Sequence, residues 1–147
     1  MSTYDLNVLR TLLDAAPTAR HVVHEAAKIL ERQGFTKWDG DGAPSAGHLS
    51  RGFFARAGSI VAWSGIEKDS RLPLRMVGAH TDSPGLTLKL GSSASSFGFG
   101  LLNVEVYGGP LLNSWLDRDL ELAGVVTTSN GESVLFRSSE PVARISQ

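Results

Sequence analysis

His80 and Asp82 stand two residues apart in Gly78-Ala79-His80-Thr81-Asp82-Ser83-Pro84. Neutral imidazole is a common zinc ligand, and it takes a second group on its other ring nitrogen to fix tautomer and orientation. His80 is therefore the candidate metal ligand, and Asp82 is the candidate catalytic residue, placed to hold that ring. The chain has no cysteine. Thiolate metal sites and disulfides are excluded, so any zinc must be held by His, Asp and Glu, a donor set that suits an open, hydrolytic site. On its own, His-x-Asp is a weak signal, because histidines near strand ends are more often packed or solvated than metal-bound.

The elements needed to place this pair can be read around it. Leu72-Pro73-Leu74-Arg75-Met76-Val77 reads as an apolar, buried strand, with Gly78 allowing close backbone approach and Pro84 stopping the ladder. Residues past such a strand end stand at the rim of a sheet, where α/β enzymes keep their ligands. Upstream, Ser2 and Asp5 form a capping-box-like start, and Leu6, Leu9 and Leu13 recur at helical spacing until Pro17. A second helix starts at Thr18, with an apolar stripe of Val22, Ala26, Ile29 and Leu30, and Gly34 suits its exit. Residues 39–47 read as loop, and 52–56 and 59–63 as strands turning at Ala57-Gly58.

Downstream the chain is β-rich. Residues 85–90 alternate, and Leu102, Val104 and Val106 alternate with Asn103, Glu105 and Tyr107. The Ser-, Gly- and Phe-rich segment 91–100 is a composition break and sets the expected domain boundary, giving domains 1–92 and 93–147. Residues 120–128 and 132–137 flank Asn130-Gly131, a hairpin signal because both residues tolerate positive φ. There is no internal repeat.

Other motifs carry less chemistry. His21-Val22-Val23-His24-Glu25 spaces two imidazoles three apart on a helix but has neither order used by helical zinc proteases, so it reads as a partly exposed first turn. His48 is lone and loop-borne, hence solvated. Residues 42–47 lack the spacing and the preceding strand of a serine elbow, and 91–100 has no phosphate-binding fingerprint. Arg118 between Asp117 and Asp119 reads as a structural clamp rather than a substrate contact.

Composition bounds the classes. The chain's 147 residues, 41% of them hydrophobic, suffice for a core of ordinary size. A formal net charge of -1 offers no electrostatic reason to bind nucleic acid. No apolar run approaches the roughly 20 residues of a membrane span, and the N-terminus lacks a signal-peptide pattern, so no membrane association and a cytoplasmic location are expected.

Three stretches together resemble the aspartyl aminopeptidase family of zinc exopeptidases. They are residues 13–21, Gly78 to Pro84, and Val104 to Val126 with its Trp115-Leu116-Asp117-Arg118-Asp119 block. The likeness spans nearly the whole chain, with Ala16 replacing a usual serine and Leu116 standing where an aromatic is commoner. It implies an α/β fold: the N-terminal part of a zinc-exopeptidase sheet domain over 1–92, then the start of a β-rich dimerisation domain over 93–147. It also implies two zinc ions, one of them bound by His80 with Asp82 fixing the imidazole, and a water nucleophile attacking the first peptide bond. Peptides beginning with Asp or Glu are the implied substrates, and a large homo-oligomer built from dimers is the implied assembly.

Family members are much longer, so the chain reads as the front part of an enzyme whose remaining ligands and catalytic glutamate lie elsewhere. Alone, it is expected to be inactive and to self-associate. The rival reading is a non-catalytic remnant serving as an oligomerisation or interaction module. Another dinuclear zinc hydrolase, such as a deacetylase or carboxypeptidase, would share His80 and Asp82, but the 115–120 block argues against it.

Overall fold

The computed structural model describes residues 6–65 and 73–146, which fall into two compact units, 1–82 and 83–147. The cap expected at Ser2 and Asp5 and the first residue of the expected strand at Leu72 lie outside the described residues. The first unit carries helices on a small sheet and the second is built of β-ribbons, which is the mixed α/β class expected.

Helix α1 spans Leu6–Ala15 and α2 spans Ala19–Arg32. Thr18 begins α2 with extended dihedrals, and its hydroxyl accepts weakly from the His21 N–H at 3.5 Å. The helix ends in a Schellman closure: the Gly34 N–H donates to Glu31 O at 2.9 Å, and the Phe35 N–H to Leu30 O at 3.0 Å. That closure needs a left-handed residue, and Gly34 supplies it at φ 78°.

The sheet of this unit has order β1-β2-β3, from Thr36–Lys37, Arg51–Arg56 and Ser59–Ser64. β1 runs parallel to β2, with Lys37 opposite Phe53, and the short helix α3, Ala46–Ser50, makes the crossover. β2 and β3 pair antiparallel through six residue pairs, from Arg51↔Ser64 to Arg56↔Ser59, so Ala57-Gly58 is a two-residue turn, as expected. Neither β1 nor α3 is legible in the sequence. Both are shorter than any periodicity can show, and they depend on His48, whose role differs from the solvated one expected. Its Nδ1 accepts from the Ser45 N–H at 3.1 Å, so the ring proton sits on Nε2, which donates to Lys37 O at 3.0 Å. The imidazole thus staples α3 to β1.

Packing centres on β2. Phe53 is wholly buried, and Val23 of α2 is the other buried apolar side chain among the described residues. The expected stripe on α2 omits Val23, the position that faces inward most completely, while Val22, Ala26, Ile29 and Leu30 are only half-buried. Gly52 lies under the Trp63 indole, whose Nε1 donates to His48 O at 2.6 Å. A Cβ at this position would meet that carbonyl oxygen and approach two indole carbons at 2.7 and 2.9 Å. Gly52→Ala is therefore expected to destabilise the first unit by about 1–3 kcal/mol, the usual cost of overpacking. A fall in thermal midpoint measures it, and an unchanged midpoint would show that the indole and the His48 carbonyl both move aside without cost.

In the second unit, β4 (Gly85–Ser96) and β5 (Phe99–Tyr107) form a long antiparallel ribbon. The composition break at 91–100 lies inside it. Phe97 and Gly98 form the turn, both with positive φ, 50° and 81°, the backbone that matches strand twist in two-residue hairpins. The register shifts midway: Leu88 pairs with Val104, but Ser93 pairs with Leu102, so residues 89–92 face Asn103 alone. β6 (Asp119–Leu120) pairs with β9 (Ala143–Arg144), and β7 (Ala123–Thr127) with β8 (Ser133–Arg137). The hairpin expected at Asn130-Gly131 forms with a difference. Only Gly131 takes positive φ, and the Asn130 side-chain oxygen accepts from the Thr128 hydroxyl and from the Glu132 N–H.

Candidate functional site

Residues 73–84 form no ladder, so the strand expected to end at Gly78 is absent from the described residues. The apolar composition is real, but a strand also needs a neighbour, and none of the described strands pairs with this stretch. Leu74 and Met76 are largely exposed, and Val77 is 99% exposed. The segment is apolar on both sides, the pattern of a sheet interior, without a sheet around it.

Within this run the side chain of Thr81 is half-buried. Its hydroxyl donates to Gly58 O at 2.6 Å, reaching the turn between β2 and β3. Its two neighbours point elsewhere. His80 Nδ1 lies 2.7 Å from the main-chain carbonyl oxygen of Asp82. A carbonyl only accepts, so Nδ1 carries the proton and Nε2 keeps its lone pair. Nε2 is thereby the nitrogen open to a metal, and the ring is held by the kind of main-chain contact that commonly orients ligating histidines. The Asp82 carboxylate is close but secondary, with Oδ1 3.6 Å from the same nitrogen. The side chains are 80% and 49% exposed, so the pair faces solvent rather than a formed cavity.

His80 fits one position of a zinc site by donor type and tautomer. A catalytic zinc ordinarily takes three protein ligands, and no cluster of three or more His, Asp or Glu that could hold a metal occurs among the described residues. His21 and His24 add none. His21 is buried rather than partly exposed, with its Nδ1 2.7 Å from Thr18 Oγ1. Glu25 is occupied by Lys28, whose Nζ donates to it at 2.7 Å and holds its carboxyl below the usual range. The clamp expected from Arg118 is made by another arginine: Arg144 of β9 grips Asp119 of β6, its Nε 3.0 Å from Oδ1. This hydrogen-bonded carboxylate holds Arg144 above its ordinary pKa. The Asp117 N–H donates to Ile145 O at 2.7 Å, and Leu116 bridges Ile145, so the block is tied as structure to the residue that follows β9.

Residues 12–147 match the family described as aminopeptidase I zinc metalloprotease (M18). The chain belongs to this family. A probable M18 family aminopeptidase 2 of Streptomyces avermitilis is 40% identical over 146 residues, covering 95% of this chain and 32% of that protein. The Streptomyces coelicolor counterpart is 43% identical over 143 residues with the same coverage. The chain thus spans about a third of the length of the curated M18 relatives it matches. A crystal structure of an M18 aminopeptidase from Thermotoga maritima superposes with a TM-score of 0.81 at 26% identity, covering 97% of this chain and 32% of that one. The M18 fold is therefore that of this chain over a third of the solved enzyme. No helix among the described residues is long and apolar enough to cross a membrane.

Proposed function

We propose that this chain contributes to a zinc aminopeptidase that removes N-terminal Asp or Glu from peptides, with His80 as one zinc ligand. The observation that carries the reading is the His80 tautomer: Nδ1 is committed to Asp82 O, leaving Nε2 for a metal. Family membership supports zinc as the metal. Zinc, when bound, polarises a peptide carbonyl and lowers the pKa of water. The contribution of this chain is binding and orientation. His80 supplies a nitrogen donor, the main chain at Asp82 fixes its ring, and the Asp82 carboxylate stabilises the positive charge that the imidazole shares with the metal.

The remaining ligands, a second zinc ion and the general base belong, in this reading, to sequence matching the other two thirds of the relatives. We assign the catalytic role to the segment before β4 and an oligomerisation role to the β-rich part. The expected 92/93 junction lies within β4, and the compact-unit boundary at Asp82 supports placing the junction at the start of that strand. A homo-oligomer and a cytoplasmic location belong to the same proposal. The solved mApe1 of S. cerevisiae is a dodecamer, and at 24% identity its likeness to this chain is one of fold.

The test uses the full-length, zinc-loaded protein on peptides that differ only in their first residue. Asp- and Glu-initiated peptides are expected to be cleaved at least about 10-fold faster than a Leu-initiated one, with activity lost on chelation and restored by zinc. Asp82→Asn keeps the main-chain contact and loses the charge, so turnover is expected to fall about 10- to 100-fold with zinc largely retained. No zinc-dependent release of any N-terminal residue would overturn the reading.

A further inference from the structure

We propose that Thr81 is a positioning residue for the metal-binding segment, acting through its hydrogen bond to Gly58. The proposal rests on His80 being a zinc ligand and adds the means by which that ligand is held in place.

Residues 73–84 have no ladder, and those from Pro73 to His80 are exposed, so regular structure does not hold them. Ordering a backbone residue costs about 1–2 kcal/mol, and a segment without pairing needs some other tether to keep a side chain in one place. Thr81 provides one at the centre of the His80-Asp82 pair. Its hydroxyl donates at 2.6 Å to Gly58 O, the short end of the range for such bonds. The acceptor is itself well fixed. Gly58 closes a two-residue turn between strands paired at six positions, and a Cβ built on it would lie 3.3 Å from the Ala19 methyl at the start of α2. Ala57 beside it holds φ 54°, a conformation that a non-glycine residue keeps only where its surroundings enforce it.

A three-residue span then has its middle side chain anchored inward, while the two flanking side chains lie largely in solvent. Fixing Thr81 against the turn restrains the backbone between His80 and Asp82, and the His80 contact to Asp82 O forms within that anchored span. Losing the hydroxyl frees all three residues at once. The effect falls on metal affinity, because an unanchored ligand pays its ordering cost upon binding.

The experiment measures the zinc dissociation constant by chelator competition in the full-length protein for wild type, Thr81→Val, Thr81→Ser and His80→Ala, with thermal unfolding alongside. Thr81→Val keeps shape and loses the donor, and about 10- to 100-fold weaker zinc binding is expected, the range for loss of an orienting partner. Thr81→Ser retains the donor and is expected to stay within about threefold of wild type. Wild-type zinc affinity in Thr81→Val overturns the proposal. Should Thr81→Val fail to fold, Thr81→Ser decides: wild-type affinity supports the proposal, and tenfold weaker binding in a folded Ser variant overturns it. Undiminished zinc in His80→Ala overturns instead the ligand assignment on which the proposal rests.

Discussion

His80→Ala in the full-length protein is expected to strip zinc from the position that the imidazole serves and to lower peptide turnover by about 1,000-fold or more. Removing one preorganised group that stabilises transition-state charge already costs about 100- to 1,000-fold, and losing the metal removes both carbonyl polarisation and water activation together. The fold should not suffer. The His80 side chain is 80% exposed, so the thermal midpoint of the zinc-free protein should match zinc-free wild type. Zinc content by mass spectrometry and release of an N-terminal residue are the two readouts. Retained zinc together with retained activity would remove His80 from the site.

Phe53→Ala is expected to have the largest effect on stability, about 3–5 kcal/mol, the usual cost of truncating a fully buried phenylalanine. Phe53 is wholly buried at the centre strand of its sheet, between β1 and β3. With Val23 as the other buried apolar side chain among the described residues, little else fills the space that a truncated ring would leave. Since whole domains are stable by only about 5–15 kcal/mol, the variant should unfold several degrees earlier or fail to accumulate folded. Denaturant titration gives the value directly. A loss below about 1 kcal/mol would mean that this unit does not fold around β2.

The sequence speaks most clearly where the physics is local. Leu6, Leu9 and Leu13, the Thr18 cap and Gly34 mark helices because spacing, capping and left-handed exit are properties of a few adjacent residues. The turns at 57–58 and 130–131 are legible for the same reason. What fails depends on distant partners. Apolar residues 73–78 promise a strand, yet pairing is decided by a neighbour that the segment does not itself encode. His48 reads as solvated because Lys37 O, eleven residues away, is invisible to any local rule. Segment 91–100 reads as a break because serine and glycine dominate it, while the Phe97-Gly98 turn that makes it a hairpin tip lacks the usual Asn-Gly signature. At the candidate site, the spacing of His80 and Asp82 is legible and their contact is local. Which Asp82 oxygen meets the ring is not legible, because spacing alone cannot distinguish a main-chain carbonyl from a carboxylate.

The register shift in the β4–β5 ribbon separates two ladders with independent clocks. The tip ladder, from Ser93↔Leu102 to Ser96↔Phe99, is timed by the Phe97-Gly98 turn, while the base ladder, from Gly85↔Tyr107 to Leu88↔Val104, is timed from its other end. Between them residues 89–92 act as slack. A residue gained or lost within 89–92 can be absorbed there, leaving the side-chain alternation of both ladders as it was. The same change within 85–88 would turn part of the base ladder inside out. Length variation in this ribbon should therefore be confined to the slack.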